Sequence, residues 1–234
     1  MSISSNIERL QNEVADACAR VHRSPQTVAL MAVSKVQPAE ALHEAFAAGH
    51  RLFGENRVQE WQAKREALGE LFAVPETAPR VHLIGPLQNN KTSKAAEIFD
   101  AIDTIDSLKT AERLNGTAQG LGKTLPVLIE VKLSHEDSKH GVDGAELGSL
   151  LTSLHQLQSL EVRGLMTVPP FDADPEAARP YFQTLRRLRD ENQAMCPGLT
   201  ELSMGMSNDF AVAIEEGSTT VRVGTAIFGK RVYQ

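Results

Sequence analysis

Lys35 follows the apolar run VALMAV (28–33) and Ser34, so its amine should emerge where a buried strand gives way to a loop. Most lysines are solvated surface charges, and placement is what singles this one out. Near the other end of the chain, SMGMS (203–207) and VRVG (221–224) with Thr225 form a second group. Ser207 stands where a helix should begin. Gly224-Thr225 leaves its strand with little side-chain bulk, which lets backbone N–H groups approach an anion closely. Singly, each is more often a helix cap or a turn residue. Arg222 alternates with Val221 and Val223, an inward arginine between outward valines, and an arginine within a strand core needs a partner. His82, in VHLIG (81–85), suits a satisfied core position at least as well as a ligand contact. Asn56 either holds a ligand or caps the helix after the second strand. No catalytic Ser/His/Asp order, zinc spacing or dinucleotide fingerprint after a strand is present.

The elements that must position these residues read as an alternating series. Apolar runs predict strands near 28–34, 51–53, 81–85, 101–105, 126–132, 161–166, 199–204 and 220–224. Helical patterns lie at 38–48, 55–71, 90–98, 108–117, 144–157, 175–193 and 208–216. Several strands are almost continuously apolar, as when both faces are buried in a parallel sheet. Eight such units predict an α/β fold, a single (β/α)8 TIM-type barrel occupying 1–234. An extra N-terminal helix, about 5–22, precedes it. Ser5 and Glu8 form a capping-box pattern, and Ile7, Leu10, Val14, Ala17 and Val21 share a face that should cover the barrel. In such barrels the working residues lie at the C-terminal ends of the strands, and phosphate is often bound after the seventh and eighth. Ser207 and Gly224-Thr225 occupy those two positions, which makes the phosphate reading the stronger one. A lysine opposite an anchored phosphate makes either a charge contact or a Schiff base with an aldehyde or ketone. An ordinary amine is neutral in only about one molecule in a few thousand at pH 7, so a nucleophilic Lys35 benefits from partial burial or a cation such as Arg222.

Composition narrows the function classes. The chain has 234 residues, 41% of them hydrophobic, enough for one core. Its net charge of −6 opposes a nucleic-acid or anionic-membrane surface, both of which attract basic patches. Cys18 and Cys196 lack metal spacing and read as two thiols in a reducing compartment. Without a signal-like or membrane-length apolar run, the expectation is a soluble, cytoplasmic protein. No strongly apolar surface stretch is left over once barrel and helix are assigned, so it should be a monomer.

At these residues the sequence resembles a known family. AVSK (32–35), FGEN-x-VQE (53–60), HLIGPLQ-x-NK (82–91), GLM (164–166), SMGMS and VRVGTAIFG (221–229) resemble the pyridoxal phosphate homeostasis proteins, a family similar to the N-terminal barrel of alanine racemases. The resemblance runs from Leu30 to Gly229. It implies that Lys35 carries pyridoxal phosphate as a Schiff base, that Ser207, Gly224 and Thr225 hold the phosphate with Ser203 nearby, and that Arg222 faces the pyridine nitrogen. A cation there should weaken the ring as an electron sink. Asn208, where aspartate is usual, and His140, where a small residue is usual, depart from the pattern.

The resemblance implies a carrier that buffers pyridoxal phosphate and delivers it to apo-enzymes. Racemisation requires a base on each face. The two tyrosines do not suggest a second one, because Tyr181 falls in an expected helix and Tyr233 at the end of the sequence. Two other readings remain: a racemase-like pyridoxal phosphate enzyme for some amino acid, and a lysine-dependent aldolase acting on a sugar phosphate. Release of the cofactor would be assisted by a second amine, for which Lys139 is the candidate.

Overall fold

The chain alternates strand and helix from Ala29 to Phe228, and its sheet closes on itself. The structure, a computed structural model, describes residues 2–134 and 140–229. The strands are β1 (Ala29–Val33), β2 (Leu52–Glu55), β3 (Arg80–Leu83), β4 (Ala101–Ile105), β5 (Leu125–Lys132), β6 (Val142–Asp143), β7 (Leu160–Met166), β8 (Glu201–Ser203) and β9 (Thr220–Val223). The two-residue β6 pairs with the end of β5. The other eight form a parallel ring, β1-β2-β3-β4-β5-β7-β8-β9, closed by β9 against β1. This is the expected (β/α)8 barrel, and its seventh and eighth strands are β8 and β9.

The helices are α1 (Ile3–Arg20), α2 (Ala39–Ala47), α3 (Val58–Ala67), α4 (Thr92–Ile98), α5 (Leu108–Gly120), α6 (Leu147–Leu154), α7 (Arg179–Asn192), α8 (Phe210–Glu215) and α9 (Thr225–Phe228). Their apolar faces and the outward side chains of the strands make one core. α1 is capped three residues before the Ser5 of the expected Ser5–Glu8 capping box. Ser2 is the cap: its Oγ accepts from the Ser5 N–H at 3.2 Å, while the Ser5 hydroxyl turns back to the Ser2 carbonyl. The buried face of α1 is Ile7, Leu10, Val14, Ala17 and Cys18, with Cys18 in the place expected for Val21. Burial of each larger aliphatic side chain there contributes about 1.5–3 kcal/mol. The helix lies along the outside of the barrel against α2, α8 and α9, where Asn6 donates to the Ile227 carbonyl at 2.8 Å.

Other elements differ from expectation for local reasons. β2 continues to Glu55 because Gly54 and Glu55 stay paired with His82 and Leu83. α8 starts at Phe210, since Asp209 first closes a turn by accepting from the Met206 N–H at 2.6 Å. The four-residue α9 is too short to leave a helical period in the sequence.

Candidate functional site

Parallel pairing brings the selected residues to one end of the barrel. Ala32 of β1 pairs with Val223 of β9 and Val33 with Gly54 of β2, so Lys35, Thr225 and Asn56 leave neighbouring strands within three residues of paired positions. Lys35, Asn56, Ser207, Arg222, Gly224 and Thr225 all line one cavity of about 580 Å³. Ile84, Gly85, Pro86, Glu130, Lys132, His140, Phe171, Asn208 and Asp209 also line it. The volume lies in the ordinary range for a small-molecule site, roughly 300–1,000 Å³.

Arg222 sets the polar floor. It points into the barrel and is buried, while Val221 and Val223 face the outer core. Its Nη1 donates to the Ser203 carbonyl (2.6 Å) and hydroxyl (2.7 Å), and its Nη2 donates to the Thr167 carbonyl (2.8 Å). Two adjacent strands thus hold the guanidinium in a fixed plane. Burial lowers its basicity, opposed by the carboxylates of Asp103, Glu130 and Asp209. Ser203 is fully buried beneath the cavity and does not line it; its hydroxyl is committed to Arg222 rather than standing beside Ser207. The alternating pattern in β8 turns Ser203 inward, one layer below the loop that carries Ser207.

The rim beside β8 and β9 is made of loop and first-turn backbone. Asp209 ties the 206–209 turn through the Met206 N–H, and burial pushes its carboxyl up. Ser207 and Thr225 are exposed on this rim. A Cβ on Gly224 would stand 3.2 Å from the Val33 carbonyl oxygen, so this glycine lets β9 close tightly on β1 beside Lys35. The first N–H groups of a helix have no partner within it, and α9 begins at Thr225. Ser207 is therefore a turn residue before α8 and not its cap.

Sequence reasoning missed three features. Glu130 of β5 lines the cavity; burial pushes its carboxyl up, against the lowering effect of Arg222 and His140. Its position in an apolar strand was the available signal. The buried Oδ1 of Asn56 has no hydrogen-bond partner among the described residues. Beneath Lys35, the buried side chains of Glu55 and Lys64 meet at 2.8 Å. The turn that carries Lys35, closed by the Gln37 N–H on the Ser34 carbonyl at 3.1 Å, places Val36 at a φ of +59°. A valine in that region costs on the order of 1–3 kcal/mol.

His82 lies elsewhere. It faces a separate cavity of about 360 Å³, lined by strand-start residues such as Ala29, Leu52, Arg80 and Ala101, at the opposite end of the barrel. Its Nδ1 sits 3.1 Å from Asp103 Oδ1. Burial lowers its pKa, but Asp103, Asp100 and Glu201 outweigh burial and the net shift is upward. It is a paired interior histidine, not a contact at the candidate site. Lys139 and Tyr233 lie outside the described residues. Cys18 and Cys196 are free thiols, one buried and one half-buried.

Known proteins place this arrangement in a family. Residues 5–232 match the alanine racemase N-terminal domain. The chain is 44% identical to a pyridoxal phosphate homeostasis protein of Vibrio alginolyticus, over 99% of each chain. It is 41% identical to one of Escherichia coli K12, over 99% of this chain and 97% of that one. Among solved structures, PipY of Synechococcus elongatus PCC7942 with PLP bound is 43% identical, with a TM-score of 0.81 over 92% of this chain and all of that one. Alanine racemase of Clostridium difficile shares the fold at 13% identity, with a TM-score of 0.73 over 96% of this chain and 61% of that one. The chain belongs to the alanine racemase N-terminal domain family and, within it, to the pyridoxal phosphate homeostasis proteins.

Proposed function

We propose that this protein binds pyridoxal phosphate as a Schiff base on Lys35 and serves its homeostasis by buffering and delivering it, without efficient amino-acid turnover. The observation that carries the reading is the meeting of Lys35 with Ser207, Gly224, Thr225 and Arg222 in one cavity. The donor set fits the cofactor. A half-buried lysine amine suits an aldehyde, and the open backbone of Gly224-Thr225 beside the Ser207 hydroxyl suits a phosphate. A fixed guanidinium suits an unprotonated ring nitrogen, and the buried orphan Oδ1 of Asn56 leaves one polar contact to be filled. When bound, the cofactor would supply an aldehyde carbon, and Lys35 Nζ would be the amine that holds it. Arg222 would hold the ring and oppose protonation of its nitrogen, which would weaken the electron sink that turnover of amino acids draws on.

Two observations support carriage over catalysis. Tyr181, on α7, is not among the residues lining the cavity, and Phe171 on the rim is 83% exposed, so solvent reaches the mouth. Efficient carbanion chemistry benefits from a positioned second base and an excluded solvent. No helix among the described residues is long and apolar enough to cross a membrane. We place the protein as a cytoplasmic monomer, folded as one domain, whose partners are apo-enzymes that need the cofactor.

The test has three arms. Purified protein mixed with pyridoxal phosphate should develop a visible imine band that Lys35→Ala abolishes; a band that persists shows that another lysine is the tether. Loaded protein should activate an apo-enzyme. Racemisation of alanine or serine at ordinary enzymatic rates would overturn the carrier reading in favour of an enzyme. A colourless protein that cleaves sugar phosphates would identify an aldolase.

A further inference from the structure

Lys35 is flanked by peptide groups that a buried charged cluster holds from both sides. The Lys64 ammonium, on α3 and 8% exposed, donates to the Ser34 carbonyl (2.7 Å), Glu55 Oε1 (2.8 Å) and Glu60 Oε1 (2.6 Å). Its three N–H donors are thereby all used. Glu60 Oε1 also accepts the Val36 N–H at 2.5 Å, and Glu55 Oε1 accepts the Ser34 hydroxyl at 2.7 Å. The carbonyl before Lys35 and the N–H after it are thus fastened to the same cluster. Val36, just after the second of these, holds a φ of +59°, in the third position of a turn where glycine or asparagine is usual. Val36 is 58% exposed, so its own side-chain packing does not hold that conformation in place. A buried ion pair is weak evidence for stability alone, since apolar replacements often serve as well.

We propose that Lys64, Glu60 and Glu55 are positioning residues: they clamp the strained Ser34–Gln37 turn so that the Lys35 amine is presented to the aldehyde of the cofactor. The proposal rests on Lys35 being the tether. Without the clamp, the turn relaxes to a negative φ at Val36 and the amine loses its approach. Glycine at 36 adopts φ above zero freely, so it should hold the turn where the clamp is lost.

The experiment compares wild type with Glu60→Ala, Lys64→Met and each of these combined with Val36→Gly. Stopped-flow absorbance reads the rate of imine formation with pyridoxal phosphate. Calorimetry reads the affinity for deoxypyridoxine phosphate, which lacks the aldehyde. Glu60 is at the edge of the cluster, so Glu60→Ala keeps the test open should Lys64→Met fail to fold. Expected is a fall of about tenfold or more in imine formation, analogue affinity held within about twofold, and recovery on adding Val36→Gly. Rates unchanged by both single variants, analogue affinity falling in step with the rate, or no recovery with Val36→Gly would each overturn the clamp. Amide exchange at 34–37 in cofactor-free protein should speed up about tenfold in Glu60→Ala, and unchanged exchange overturns the clamp as well. Absence of an imine band in wild type would instead refute the tether, while exchange still reads the clamp.

Discussion

Gly85→Ala tests whether the wall of the candidate site is as close-packed as its geometry requires. Gly85 follows β3, and a Cβ there would lie 2.4 Å from the Asn56 carbonyl oxygen and 2.8 Å from Asn56 Cα. Real Cβ contacts do not go below 3.0 Å, so the two backbones must part by about 0.6 Å. They are not free to do so. The Ile84 N–H donates to the Glu55 carbonyl at 2.9 Å, and the Thr104 hydroxyl donates to the Gly85 carbonyl at 2.8 Å. Overpacking against a held backbone costs about 1–3 kcal/mol. For a chain of this size, each kcal/mol moves the melting temperature by about 2–4 °C, which gives a fall of about 2–12 °C. Asn56 shares the site with Lys35, so its displacement should also weaken deoxypyridoxine phosphate binding by about tenfold. Gly116→Ala is the matched control. It lies within α5 with no atom within 4 Å of its added methyl, and alanine there should stabilise by about 0.5–1 kcal/mol. Melting of both variants, with calorimetry of the analogue, reads the pair. A Gly85→Ala protein that melts within about 1 °C of wild type, or that binds the analogue normally, would refute the packing argument.

Ser203→Ala should cost about 1.5–3 kcal/mol by removing one charged hydrogen bond to Arg222, yet leave deoxypyridoxine phosphate affinity within about twofold. A large loss of affinity without loss of stability would return Ser203 to the phosphate. His82 has a raised pKa in the folded protein, so its pairing with Asp103 contributes fully below the unfolded value of about 6.5 and is lost as pH rises through the folded one. Denaturant titrations from pH 5 to pH 9 should show stability falling across that window, and His82→Gln should flatten the fall. Val36→Gly alone should raise the melting temperature by a few degrees, because glycine relieves a strain of about 1–3 kcal/mol while giving back part of it in chain entropy.

The barrel and the cavity-lining part of the site were legible for different reasons. β1 and β5 are largely apolar runs whose length leaves little alternative, and the alternation Val221-Arg222-Val223 correctly turned the arginine inward. Lys35, Ser207, Gly224 and Thr225 were found by position, because strand ends in a barrel converge whatever the intervening sequence. His82 obeyed the same alternation and is the paired core residue that the sequence allowed, lining the opposite end of the barrel two residues before Ile84 of the candidate site. Ser203 shares a motif with Ser207 but points a layer below it, toward Arg222. The Glu55–Lys64 pair was invisible because its members are nine residues apart on a strand and a helix. Only tertiary packing makes a charged pair of an inward carboxylate and a helix lysine.

Those contacts bear on function, since each concerns a polar group held by the protein itself. Arg222 is satisfied by Ser203 and Thr167, so its orientation costs the cofactor nothing on arrival and loses nothing on departure. The rim is held more lightly, with Asn208 donating to the Asp172 carbonyl at 3.1 Å across two exposed loops. A site whose floor is preorganised by its own hydrogen bonds spends little binding energy on ordering. With Lys35 as the proposed tether, an exposed rim would let a second amine reach the same carbon. Reversible loading therefore needs no lid, and the same openness that suits a carrier works against the solvent exclusion on which efficient turnover depends.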